Sequence, residues 1–319
     1  MGGLRRFLVI VLLASLLSLI PTTSFALSRA QLERGLVSDV LPEYRVAAGK
    51  ALSKLYIEGD VPTETLKTIA IEGRSPDLRR AAAVSLGERY RNVSGINKFE
   101  EIQQLKDNLL RKARSAKNEN IRYAASQALI PLYVSFSLNE ISGYSTSEIE
   151  SLMRSAENDQ IRELAVEVLS SVYPAHRSHE ELLTLIKDSS HPGIRHAASE
   201  ALSELYASPM FPSPSLEELR ERASNEDLDP LVRQAAGGAF GLLAPKQMSV
   251  SELSQLSKSA PTAELQRGAG EALGKALIES KKTKNQLLRM AAAATGWAPQ
   301  PYRDAIAEAL SDRMLPNRR

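Results

Sequence analysis

The chain predicts an all-α solenoid, and three observations carry that prediction. A thirteen-residue phrase recurs: IRYAASQALIPLY from Ile121 and IRHAASEALSELY from Ile194 are two of eight copies. Within each copy the apolar and small residues return at spacings of three, four and seven, which puts them on one face of a helix. No segment shows sustained apolar/polar alternation, so no sheet is expected.

Taking the leading apolar residue as position 0, the copies begin at Tyr44, Leu78, Ile121, Ile161, Ile194, Val232, Leu265 and Tyr302. The starts are 34, 43, 40, 33, 38, 33 and 37 residues apart. Self-similarity at such a period marks a stack of small supersecondary units, each covering its neighbour's apolar face. Positions 0 and +8 are apolar or aromatic throughout. Positions +3 and +4 are mostly Ala (Ala47 and Ala48, Ala124 and Ala125, Ala197 and Ala198), which keeps helix propensity high and lets a partner helix approach. This is helix B of each unit. Helix A precedes it, announced in four units by Ser three residues before Glu: Ser145/Glu148, Ser178/Glu181, Ser215/Glu218 and Ser249/Glu252. That spacing forms a capping box, in which each side chain satisfies a backbone N–H left over at a helix start. Pro42, Pro76, Pro192 and Pro230 then open helix B, where a missing N–H costs little.

The phrase SPDLRRAAAVSL, Ser75 to Leu86, with its turn, apolar residue, Arg and paired Ala, resembles the HEAT repeats, in particular bacterial HEAT-like repeats also found in phycobilin lyases. The resemblance spans roughly residues 30–314. It implies a right-handed α-solenoid of about eight two-helix units, roughly 28–58, 62–91, 96–137, 145–173, 178–207, 215–244, 249–280 and 284–314. It also implies binding surfaces more than any one activity.

The first 26 residues stand apart. MGGLRRFLVIVLLASLLSLIPTTSFA has Arg5 and Arg6, a mostly apolar run from Phe7 to Ile20, Pro21, and small residues at Ser24 and Ala26. This is the pattern of a secretory signal peptide cleaved after Ala26; a membrane anchor needs a longer apolar run. Residues 27–319 are then one exported solenoid, periplasmic or secreted, with no stable membrane anchor. Cys is absent, so no disulfide and no lipid-modified Cys is expected. Without Arg5 and Arg6 the 40 basic residues become 38, matching the 38 acidic ones. A neutral exported chain is not drawn to nucleic acid.

Few residues invite chemistry. All four histidines, His176, His179, His191 and His196, fall within 21 residues. His179 with Glu180 offers the start of a metal site, but the length of helix A separates the pairs, and ligand count and spacing both fail. HEAT-fold di-iron hydroxylases carry His-Glu early in helix B; here Ala197 follows His196, which excludes that activity. A phycobilin lyase would act in the cytoplasm, against the export signal. No nucleophile elbow, phosphate loop or dinucleotide fingerprint is present. No catalytic, cofactor-binding or metal residue is assigned, and no cofactor is expected.

Three recurring positions read as architecture. Arg occupies +1 in seven copies (Arg45, Arg79, Arg122, Arg162, Arg195, Arg233 and Arg303), with Gln266 the exception. Its fork suits tying turns to neighbouring units. Tyr at +12 (Tyr56, Tyr90, Tyr133, Tyr173 and Tyr206) sits at the edge of the buried stripe, where the ring packs and the hydroxyl is expected to reach water. Trp297 is expected to cap the seam of the last unit, with a polar tail after Met314. The sequence thus predicts a non-catalytic exported scaffold that binds other proteins or extended peptides. An enzyme or a small-ligand or metal binder using the His-bearing units is the alternative.

Overall fold

In a computed structural model the structure describes residues 27–36, 41–59, 61–91, 99–138, 145–209, 214–280, 282–295 and 297–315. The expected signal peptide, residues 1–26, lies outside them, as does the tail from residue 316. The described residues are helical, with no strand among them.

The helices alternate as expected. The A helices are α1 (Arg29–Gly35), α3 (Thr63–Glu72), α5 (Phe99–Ser115), α7 (Thr146–Arg154), α9 (His179–Asp188), α11 (Leu216–Ser224), α13 (Val250–Ser259) and α15 (Lys284–Ala294). The B helices are α2 (Pro42–Glu58), α4 (Pro76–Arg91), α6 (Glu119–Leu138), α8 (Asp159–His176), α10 (Pro192–Ala207), α12 (Pro230–Leu243), α14 (Ala263–Glu279) and α16 (Gln300–Met314). All four expected capping boxes form. Two more appear where Gln takes the role of Glu, at Ser28/Gln31 and Thr283/Gln286. Each B helix packs on its own A helix and buries its +8 residue: Leu52, Leu86, Leu129, Leu169, Leu202, Phe240, Leu273 and Leu310 are at most 1% exposed. Each such burial is worth roughly 1.5–3 kcal/mol, so this position contributes strongly to the seam.

The ends of the stack behave differently from expectation. Terminal units of a solenoid were expected to present distinct outer surfaces. Instead α16 packs against α2 as it does against α14, and the eight B helices form a closed inner ring with the A helices outside. The joints share one register: positions +5 and +9 of one B helix meet −1 and +3 of the next. Ser199 Oγ donates to the Leu231 carbonyl and Ser53 Oγ to that of Ala81, at 2.6 and 3.2 Å. A Cβ on Gly241 would come within 2.9 Å of the Gly268 carbonyl, and one on Gly268 would run into that of Gly237. These small residues let neighbouring backbones touch.

Six of the seven +1 Arg residues, all but Arg45, bond to turns or across joints. Arg79, Arg122 and Arg233 donate to the Gly73, Ala116 and Leu228 carbonyls of their own A–B turns at 2.8, 2.8 and 2.9 Å, and Gln266 does the same to Ala260 at 2.8 Å. Across joints Arg122 reaches Gln160, Arg195 reaches Asp229, Arg233 reaches Glu264 and Arg303 reaches Glu43. Arg162 bonds only within its own unit, to Asp159 and the Ala156 carbonyl.

Two expectations about aromatic residues need correction. Tyr56 and Tyr173 are fully buried, and their hydroxyls donate to Glu33 and Glu150 of the A helices at 2.8 and 2.9 Å rather than to water. Burial and these carboxylates push both phenols well above the usual range. The +12 helical position lies under helix A, which the single-helix geometry did not reveal. Trp297 caps nothing: it is 64% exposed, its indole N–H folded back on the Ala293 carbonyl.

Candidate functional site: the wall of the ring

Each B helix has two B neighbours and an A helix behind it, so one face remains, turned toward the ring axis. At about 100° per residue, positions +2, +6, +9 and, toward one side, +10 occupy it. Position +9 is mostly Ser or Gly and lies in the joints. Positions +2, +6 and +10 therefore compose the wall, and the repeat phrase leaves these positions unspecified.

Their side chains form a polar circuit. Arg80 stacks on Tyr123, guanidinium carbon 3.1 Å from the ring centre. Gln127 favours the charged form of the Glu167 carboxyl, and Ser170 Oγ donates to the Glu167 carbonyl at 3.0 Å. Glu200 Oε1 accepts from His196 Nε2 at 3.2 Å, and the other ring nitrogen of His196 lies 3.4 Å from the Gln234 amide. Arg267 pairs with Glu271 at 3.2 Å, and Lys50 with Glu308 across the α16/α2 joint. Two recesses indent the wall. One, of about 430 Å³, lies among α8, α10, α12 and α14; the other, of about 750 Å³, among α14, α16 and α2. Arg267 and Glu271 line both.

Charge around the wall is uneven. On α8 and α10, positions +2, +6 and +10 carry Glu163, Glu167, Glu200 and Glu204 and no Lys or Arg. Lys50, Lys54, Arg80, Arg267 and Lys275 stand on α2, α4 and α14. Partial desolvation raises the Glu204 carboxyl, with repulsion from Glu200 adding to it. Desolvation also raises Glu167, reinforced by Glu200 and Glu163 and opposed by the Gln127 hydrogen bond. Glu200 is lowered instead, because His196 bonds it, and that bond raises His196.

The histidines do not assemble. His196 is on the wall, whereas His179 begins α9 and meets the Tyr206 hydroxyl at 3.2 Å. Burial, with Arg222 nearby, lowers His179. His176 ends α8, and His191 precedes α10 without a side-chain hydrogen bond to it. Among the described residues no group of three or more His, Cys, Asp or Glu side chains is placed to hold a metal ion. The two ring nitrogens of His196 thus face Glu200 and Gln234.

The HEAT repeat family model matches residues 146–238, the stretch holding α7 to α12. These units are HEAT repeats. The complex of CpcE and CpcF of phycocyanin lyase from Nostoc sp. PCC7120 aligns at 16% identity and a TM-score of 0.33, covering 86% of this chain and 98% of that one. No curated protein matches the sequence.

Proposed function

We propose that this protein is an exported, non-catalytic HEAT-repeat scaffold that encloses an extended segment of a partner protein in its ring. The closed ring of B helices with a polar wall carries the reading. Axes of packed helices lie about 9 Å apart, so eight of them place their axes about 12 Å from the centre. Subtracting about 5 Å for a helix with its side chains leaves a free radius of about 7 Å. An extended chain with side chains is about 10 Å across and fits. A folded domain of about 13 Å radius of gyration does not. The uneven wall charge would fix the direction and register of the guest more than its affinity.

Export rests on the leader, with cleavage after Ala26 expected to leave Leu27 as the mature N-terminus. Among the described residues no helix is long and apolar enough to cross a membrane. N-terminal sequencing of the mature protein checks this, and a start at Met1 would refute it.

A photo-crosslinking amino acid at Leu242 or Val46, the two apolar wall residues more than 40% exposed, tests the binding mode. One at Ile71 on the outer helix α3 is the control. The expected result is one recurring partner peptide linked from both wall positions, weakened by Glu200→Gln with Glu204→Gln, and absent at Ile71. Partners linked only from Ile71 would move the binding surface to the outside. Turnover of a small molecule with no linked polypeptide would favour the enzyme reading.

A further inference from the structure

The joint between α16 and α2 keeps the register of the others but is built differently. Arg303 Nε lies 2.5 Å from Glu43 Oε1, the counterpart of Arg233 with Glu264. Lys50 and Glu308 pair across it, both side chains at least 40% exposed. The Leu27 amide donates to the Met314 carbonyl at 3.2 Å, strapping the chain before α1 to the end of α16. Polar satisfaction is poorer here. Glu43 Oε2 and Ser311 Oγ are two of only five buried side-chain polar atoms without a hydrogen-bond partner among the described residues. Ser53, at the same +9 position in the α2/α4 joint, bonds across to the Ala81 carbonyl. A buried polar atom left without a partner destabilises the contact it sits in, so this joint is less stable per contact than its neighbours.

Topology makes the same joint special. Everywhere else around the ring the chain itself passes from one unit to the next, and that connection bars a long guest from passing between the two units. Between α16 and α2 no described segment runs on from one unit to the next, and the backbone contact there is the Leu27–Met314 hydrogen bond. We infer that the ring is a clasp that opens and recloses at the α16/α2 joint, admitting an extended partner sideways. The opening is read from the joint alone and holds whatever the guest; its purpose rests on the enclosing role proposed above.

The chain has no Cys, so a single introduced thiol reports one place. The experiment compares the labelling rate by a thiol reagent of Ser311→Cys, in the clasp, Ser53→Cys, in a continuous joint, and Ala309→Cys, on α16 facing α15. Ser311 and Ala309 are at most 1% exposed and Ser53 is 7%, so a static ring would label Ser53→Cys first. A clasp predicts Ser311→Cys labelling at least about ten-fold faster than the other two, as local opening exposes some buried sites and not others. Raising salt should accelerate Ser311→Cys alone, because the exposed Lys50–Glu308 pair is screened. Three outcomes overturn the inference. Ser311→Cys as slow as Ser53→Cys in both salts means a sealed ring. Ala309→Cys as fast as Ser311→Cys means that the last unit frays as a whole. Labelling of Ser311→Cys at the speed of a free thiol, independent of salt, means that the joint is never closed.

Discussion

The α12/α14 joint and the α16/α2 joint are two solutions to the same packing problem. In the first, Gly237, Gly241 and Gly268 leave out the Cβ atoms where the two backbones come closest, so the helices meet backbone to backbone there, and Arg233 and Glu264 pair over them largely shielded from water. In the second, Ala307 and Ser311 stand where the glycines would be, and an ion pair with a nearly buried Glu43 holds the helices together. Shape holds one joint and charge the other. Contact through glycine is insensitive to salt and intolerant of any added atom. Contact through ion pairs is adjustable and depends on both partners being present.

The sharpest way to break the contrast is Gly268→Val. Its side chain would enter the Gly237 carbonyl, and overpacking of this kind costs about 3 kcal/mol. Denaturant melts should show that loss at every salt concentration. Arg303→Ala comes next. It strands the Glu43 carboxylate, which is 3% exposed, and should cost about 2 kcal/mol, below the figure for a fully buried pair because Arg303 keeps a quarter of its surface in water. Arg303→Ala with Glu43→Leu should recover much of that loss if the stranded charge is the cause.

A smaller difference separates two arginines of the same ladder. Arg233→Ala should cost about 1.5 kcal/mol, since it removes charged hydrogen bonds across a joint. Arg162→Ala should stay within about 0.5 kcal/mol, because its bonds are local and exposed. Equal losses would mean that the ladder works through the turns and not through the joints.

The smallest effect is a pair of titrations. NMR should find His196 titrating above the usual imidazole range, because Glu200 bonds its charged form, and His179 below it, because burial disfavours that form. The His196–Glu200 pair contributes stability fully only where His196 is charged and Glu200 ionised. That contribution is lost as pH rises through the elevated His196 value, and again as pH falls through the depressed Glu200 value. His179 works the other way, destabilising the fold as pH falls below the ordinary histidine range. Glu200→Gln should return His196 toward that range and leave His179 unmoved.

Much of the helical order could be read from residues in sequence. Ser145 with Glu148 states where α7 begins, and Pro192 where α10 begins, because a cap is satisfied within one turn. The buried stripe from Ile194 to Tyr206 is equally local, being a matter of helical period. The pairing of units follows, since each stripe needs a neighbour. Position +12 was harder: that Tyr173 meets Glu150 depends on how far helix A overlaps helix B. The wall residues, His196 apart, are not legible in the sequence for a different reason. Positions +2, +6 and +10 vary from Val46 to His196 to Arg267, and a search for recurrence passes over whatever does not recur. Only their convergence on one axis makes them a set.

The unit is written locally: helix, turn, helix, with its caps, its stripe and its +1 Arg, all set by interactions within some thirty residues. That the units close is written nowhere locally and follows from the assembled stack. Closure requires the rotations at the joints to sum to one full turn, about 45° each over eight joints. Each rotation depends on how nearly two backbones approach at residues such as Gly241 and Ser199. A deviation of a few degrees per joint, repeated eight times, would leave an open spiral, and no single phrase records that sum. Glu43 and Arg303, 260 residues apart, became a pair only because the sum came out right.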